Sequence, residues 1–293
     1  MVAKLKVIPI FLTAALIFAS FYLALDHSLA QDAPPTQSLV YQKPELKKEI
    51  DEVSRTYGGQ LTEYRRADQE FQIARRQYEQ LNTLASLETA IVATRQVMVK
   101  RAQVLDTYFN LMRLELLNAQ GLRIEYRQFA LDQIDAHRRA LAVHQGQAAS
   151  ALEREAIAKV ADEFVQLVKP MQLTMEFGVN VLKLAQYQAL YDITEVTLNQ
   201  ISGSGDGGEA TGAALLQSGQ DQRAFEQILV QFDRADEALS QADQQVLTTI
   251  EAMEDDSASG RSLSLDLAEE IEVAYSALSQ TYRYLGELIG RQS

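Results

Sequence analysis

An all-α fold is predicted: an elongated antiparallel bundle of long, coiled-coil-like helices, with a C-terminal helical hairpin. Three observations predict it. Pro9, Pro34, Pro35 and Pro44 all lie at or before residue 44, and only Pro170 follows. Six of the fourteen glycines fall between 203 and 219, leaving long stretches rich in Ala, Leu, Gln, Glu and Arg without helix breakers. Apolar residues recur every seven positions in several segments. A sandwich or barrel needs turn residues every ~8–12 positions, and an α/β fold needs Val/Ile-rich runs between helices; the chain has neither.

Residues 1–30 read as a signal peptide or an N-terminal membrane anchor. Lys4 and Lys6 precede an uncharged run over residues 7–25, and Asp26 ends it. Ser28-Leu29-Ala30 places small residues at the -3 and -1 positions of a cleavage site. The run lies between the ~7–15 residues of a signal core and the ~20 of a spanning helix. In either case residues 31–293 are delivered outside the cytoplasm, to the periplasm, the cell surface or the medium. An uncleaved run over 7–25 tethers the protein to the membrane.

Residues 31–43, with Pro34-Pro35, form an extended linker. The main helical bundle is predicted over 44–201. Pro44-Glu45 suits a first helical turn. Tyr57, Tyr64, Phe71 and Tyr78 are spaced by seven, and Ala67, Ala74 and Leu81 complete a seam of large residues against small ones. Gly58-Gly59 is expected to kink this helix or split off a short leading one. Residues 83–86 read as a turn with Ser86 as N-cap. A second array then runs through Ala90-Ile91, Val97-Met98, Val104-Leu105 and Leu111-Met112, a wide stripe of the kind bundle helices bury. Residues 118–121 end it at Gly121.

A third helix spans Leu122 to about His144, carrying Leu122, Tyr126, Phe129, Ile134 and Leu141, with Gln145-Gly146 as its C-cap. Ser150-Ala151-Leu152-Glu153 fits a capping box. The helix it opens reaches Ile201, with Val160, Phe164, Leu167, Met171, Met175, Val179, Leu182, Ala189, Ile193 and Val196 as its stripe and a kink at Pro170. Residues 202–220 form a Gly-rich flexible linker. Residues 221–293 then read as an acidic helical hairpin. Phe225, Phe232, Leu239, Val246 and Met253 repeat by seven, 255–261 is a polar turn, and Leu267, Ile271, Ala274, Leu278, Leu285 and Leu288 line the return helix. The hairpin holds 15 acids against 5 Arg and no Lys. It is expected to pack on the long helix before it or on a partner.

The chemistry-bearing residues give no catalytic, cofactor-binding or metal site. There is no Cys, so disulfides, thiolate metal sites and a Cys nucleophile are excluded. His137 and His144 lie seven apart, about 10.5 Å along one helix, too far to share a metal. Neither has a second His or a carboxylate one turn away, so the Glu-x-x-His di-metal pattern is absent. Both read as ordinary, partly exposed histidines. The segment SGSGDGGEATG (202–212) has no preceding strand and no Lys-Ser/Thr step, so it is no phosphate loop. Its only acids, Asp206 and Glu209, are not the ligands of a Ca²⁺ loop. The tyrosine row reads as core seam, and Met98, Met112, Met171 and Met175 as gap fillers. A formal charge of -13 excludes nucleic acid and a polybasic membrane-surface role.

The function expected is that of an exported, non-enzymatic envelope protein, a helical scaffold or tether that binds protein partners or itself through heptad seams. Two resemblances carry alternatives. The long-helix, extracytoplasmic design looks like the periplasmic sensor domains of chemoreceptors, which implies ligand sensing with a membrane partner. The stretch Ala67–Phe109, centred on ARRQYEQLNTLASLETAIVATRQVMVKRAQV, is similar to the helical hairpin of membrane-fusion adaptor proteins, which implies an accessory part in a secretion or efflux assembly.

Overall fold

A computed structural model describes residues 44–202, 219–255 and 260–290. Of these, 95 % are helical, in six helices with no strand. The all-α bundle is therefore the fold. The segments 1–30 and 31–43, and residues 203–218 of the Gly-rich linker, lie outside the described residues. Among the described residues no helix is long and apolar enough to cross a membrane.

Helix α1 spans Pro44–Leu81, with Glu45 in its first turn. It passes through Gly58-Gly59 without a break, so no short leading helix is split off there. A helical glycine costs about 1 kcal/mol relative to alanine. Contacts to the next helix on both sides offset that. The Tyr57 ring packs 6.0 Å from that of Tyr108, and Gln60 Oε1 accepts from Thr107 Oγ1 at 2.7 Å. Ala67, Phe71 and Ala74 are buried as the seam requires, but Leu81 is 63 % exposed because the helix ends there.

Helix α2 spans Leu84–Asn118. Its N-cap is Thr83, not Ser86. Thr83 Oγ1 accepts from the Ser86 amide at 3.2 Å, and Ser86 Oγ accepts from the Thr83 amide at 3.1 Å. Ser86 is thus the far partner of a capping box. Helix α3 spans Ile124–Ser150 and runs past Gly146. Ala148 and Ala151 bury in a cluster with Ala74, Ala93 and Ile157, and that packing carries the helix through its glycine. Ser150 donates its hydroxyl back to the Gln147 carbonyl, so it closes α3 and does not cap the next helix.

Helix α4 spans Arg154–Ser202, with Pro170 inside it. At 49 residues it is about 75 Å long. Helices α5 (Gly219–Glu254) and α6 (Gly260–Gly290) form the hairpin. Phe225, Phe232, Leu239 and Val246 are buried in α5, and every residue of the predicted α6 stripe is buried.

The hairpin packs on α4. Pairs such as Asn180 with Ser264, Lys183 with Glu272 and Thr194 with Tyr282 show that α6 runs parallel to α4. Tyr191 stacks on Phe232, while Leu198 and Ile201 cluster with Phe225 and Ile228, so α5 runs antiparallel. The N-terminal part of α4 instead packs on α2 and α3, in a buried cluster that also takes in Ala67, Phe71 and Ala74 of α1. The two packings overlap in the middle of the helix. There Thr174, Met175, Phe177, Gly178, Asn180, Val181, Leu182, Leu184 and Ala185 are all buried. The predicted single stripe does not describe this helix: Val179, within this belt, is half-buried, and beyond it Ala189 and Ile193 are half-buried and Val196 is exposed. Gly178 packs directly on α2: a Cβ there would lie 2.5 Å from Met112 Sδ.

Candidate functional site

The α2–α3 turn brings chemistry to the belt. Gly121 has φ +71°, the left-handed region that glycine favours, and a Cβ would lie 3.3 Å from the Ala185 carbonyl oxygen. Both constraints seat the turn on α4. Arg127 holds its other side, donating from Nε to the Leu116 carbonyl at 3.1 Å and from Nη2 to the Ala119 carbonyl at 2.7 Å. A cation there complements the negative end of α2.

From this platform α3 and the turn reach the hairpin. Tyr126 is 1 % exposed, and its hydroxyl donates to Asp243 Oδ1 at 2.7 Å. Arg123 Nη1 donates to the other carboxylate oxygen at 2.8 Å. Burial and the Asp243 carboxylate hold the Tyr126 phenol well above its ordinary pKa, so it stays a donor at any physiological pH. One heptad earlier on α5, Asp236 accepts from the Tyr191 hydroxyl, whose pKa is likewise raised, first by burial. Two carboxylates on one face of α5 are therefore each held by a tyrosine from a neighbouring helix.

Between these elements lies a cleft of about 300 Å³. One wall is Asp236, Leu239, Ser240 and Asp243 of α5; the facing wall is Leu184, Ala185 and Gln188 of α4. Gly121, Leu122, Arg123 and Tyr126 close one end. Its volume is at the lower end of the range for small-molecule sites. The lining is apolar at Leu122, Leu184, Ala185 and Leu239, and its only basic residue is Arg123.

The hairpin is fixed along the same face by polar and aromatic contacts. The buried Asn180 amide donates to the Ser264 carbonyl at 2.9 Å. Lys183 Nζ pairs with Glu272 at 3.0 Å, Tyr187 stacks on Tyr275 at 5.3 Å, and Tyr191 stacks on Phe232 at 4.3 Å.

The two histidines are buried, not partly exposed: His137 is 9 % and His144 1 % accessible. Their seven-residue spacing turns both toward α4. His137 Nε2 lies 2.8 Å from Thr174 Oγ1, and its ring packs on Phe109. The His144 ring packs 4.7 Å from that of Phe164, and the Arg101 guanidinium lies 3.6 Å from the same Phe164 ring. Burial pushes both histidines down to about 4, with the Arg101 charge adding to the effect at His144. Burial also lowers Arg101 to about 10, which leaves it a cation at neutral pH.

The histidines do not meet. Among the described residues no three His, Asp or Glu are grouped to hold a metal. Met98, Met112, Met171 and Met175 are all buried on the seams, as gap fillers would be. The tyrosine row lies on the α1–α2 seam, where Tyr64 packs against the buried cluster of Phe71 and Val97.

Sequence reading did not single out Arg123, Asp236 or Asp243. The available signal was Tyr126, placed on a core stripe, because a buried phenol requires a hydrogen-bond partner. Which residue supplies it depends on where α5 docks. Comparison with protein-family models, with curated proteins and with solved structures finds no match to this chain.

Proposed function

We propose that the protein is an exported, non-enzymatic helical scaffold or tether of the cell envelope that engages a protein partner through the outer face of its acidic hairpin. The basic start and uncharged run over residues 7–25 support export. The hairpin carries the interaction reading. Its inner face is spent on α4, and its outer face presents Leu229 (38 % exposed) and Val230 (62 %) among Glu226, Asp233 and Glu237, with Leu247 (42 %) and Glu251 about 25 Å further along the helix. Exposed aliphatic side chains rimmed by charge mark interaction surfaces. The partner expected is basic, since the hairpin carries ten more acids than bases.

The test is fractionation of cells producing the untagged chain, with intact mass, followed by photocrosslinking from Val230 and from Val143, an exposed position on α3. An extracytoplasmic protein crosslinked to a discrete partner from Val230 alone supports the reading. A compact cytoplasmic monomer that turns over a substrate overturns it. A second reading, a ligand-sensing bundle acting with a membrane partner, draws on one observation, the cleft at the belt.

A further inference from the structure

We propose that the belt cleft binds a small aliphatic amine in its ammonium form. The proposal goes beyond the scaffold reading, since a bundle that only tethers would still carry this cleft. It names the ligand class that the sensing reading would need.

Charge selects the ligand first. Arg123 is committed to Asp243 at 2.8 Å, so that pair contributes little net field. Asp236 accepts from a neutral hydroxyl, that of Tyr191, and no Lys or Arg among the described residues forms an ion pair with it. The cleft is therefore short of one positive charge. A carboxylate or phosphate ligand would meet the charge of Asp236, with Arg123 already held by Asp243. A bare divalent metal would need several oxygen ligands, and no such cluster is present among the described residues. An ammonium group needs only hydrogen-bond acceptors, and Asp236 with the Ser240 hydroxyl and the Gln188 amide oxygen can supply them.

Shape and polarity select the rest. Leu122, Leu184 and Leu239 come from the turn, α4 and α5 respectively, and offer an apolar floor to an alkyl chain. A ligand seated there would touch the α2–α3 turn and the hairpin together. Its binding energy would add to the docking of the two.

Isothermal titration calorimetry on the full chain tests this with n-hexylamine, and with hexanoate as its charge-reversed counterpart. The expected result is one saturable site for hexylamine and none for hexanoate. Asp236→Asn should weaken hexylamine by about tenfold or more, the scale of one charge-assisted hydrogen bond. Asp236→Glu should retain most of the affinity. Glu226→Gln, elsewhere on α5, should leave it unchanged, which separates a site from general attraction to an acidic surface. Asp236 is exposed, so its variants should melt with the parent. Absence of saturable heat, equal binding of hexanoate, or equal losses in Asp236→Asn and Glu226→Gln would each overturn the proposal. None of these outcomes bears on the crosslinking test of the scaffold reading.

Discussion

The two ends of α4 are held in different ways. Its N-terminal part lies in a four-helix cluster of Ala67, Phe71, Val97, Met98, Ala148, Ile157 and Val160, seams of small residues against large ones. Its C-terminal part receives the hairpin through a face that mixes leucine and phenylalanine with Asn180, Lys183, Tyr187, Tyr191 and Thr194. The first packing depends mainly on apolar area. The second adds hydrogen bonds and ring stacks that fix register, since parallel α4 and α6 could otherwise slide by a turn. Polar contacts of this kind contribute specificity more than net stability.

The largest expected effect lies where the two packings meet. Phe177 is fully buried in the belt. Phe177→Ala should cost about 3–5 kcal/mol and lower the melting of both parts together. Two separate transitions, with only one displaced, would show that the halves are independent.

Acid should weaken the four-helix part next. His137 and His144 are folded neutral with pKa values of about 4, against 6.5 for a free histidine. The unfolded chain therefore takes up protons first as pH falls below 6.5. Stability is full above that value, declines between 6.5 and about 4, and loses at most about 3 kcal/mol per histidine. His144→Leu should flatten part of this slope in chemical denaturation at pH 7, 5.5 and 4.5. An unchanged slope would rule His144 out as its source.

Asn180→Ala removes the buried donor to the Ser264 carbonyl. It should cost about 1–3 kcal/mol and raise amide exchange in α6 before α1. Uniform acceleration throughout the molecule would contradict the idea that docking is locally controlled. The smallest effect should come from Arg123→Ala. Its pair with Asp243 is half-exposed and screened by solvent, so the midpoint of denaturation should barely move, and the loss should diminish further in high salt.

The same contrast explains what the sequence made legible. Heptad seams announce themselves because one register is repeated many times, so the burial of Phe225, Phe232, Leu239 and Val246 could be read directly. Single-residue decisions could not be read in the same way. Thr83 and Ser86 are both good capping residues, and only their mutual geometry says which begins the helix. Gly146 and Gly58-Gly59 looked like interruptions, yet tertiary packing on either side outweighs about 1 kcal/mol each. The burial of the histidines is not legible in the sequence, because it depends on the orientation of α3 against α4. The cleft was invisible for a stronger reason. Arg123 and Asp243 are 120 positions apart and meet only because α5 folds back along a helix already occupied by α2 and α3.

The wiring around α4 has a kinetic consequence. Each well-packed pair of helices is either consecutive in the chain or separated by a single helix. The first helix never has to find the last. Docking of consecutive helices closes short loops, whereas seating the hairpin joins residues 84 to 120 positions apart, at an entropic penalty that grows only slowly with that length. Chains dominated by such near-neighbour contacts fold sooner than sheet proteins of similar size. For this molecule it means that the outward side of α4 spends little time bare before the hairpin covers it, and so has little opportunity to pair with the wrong neighbour.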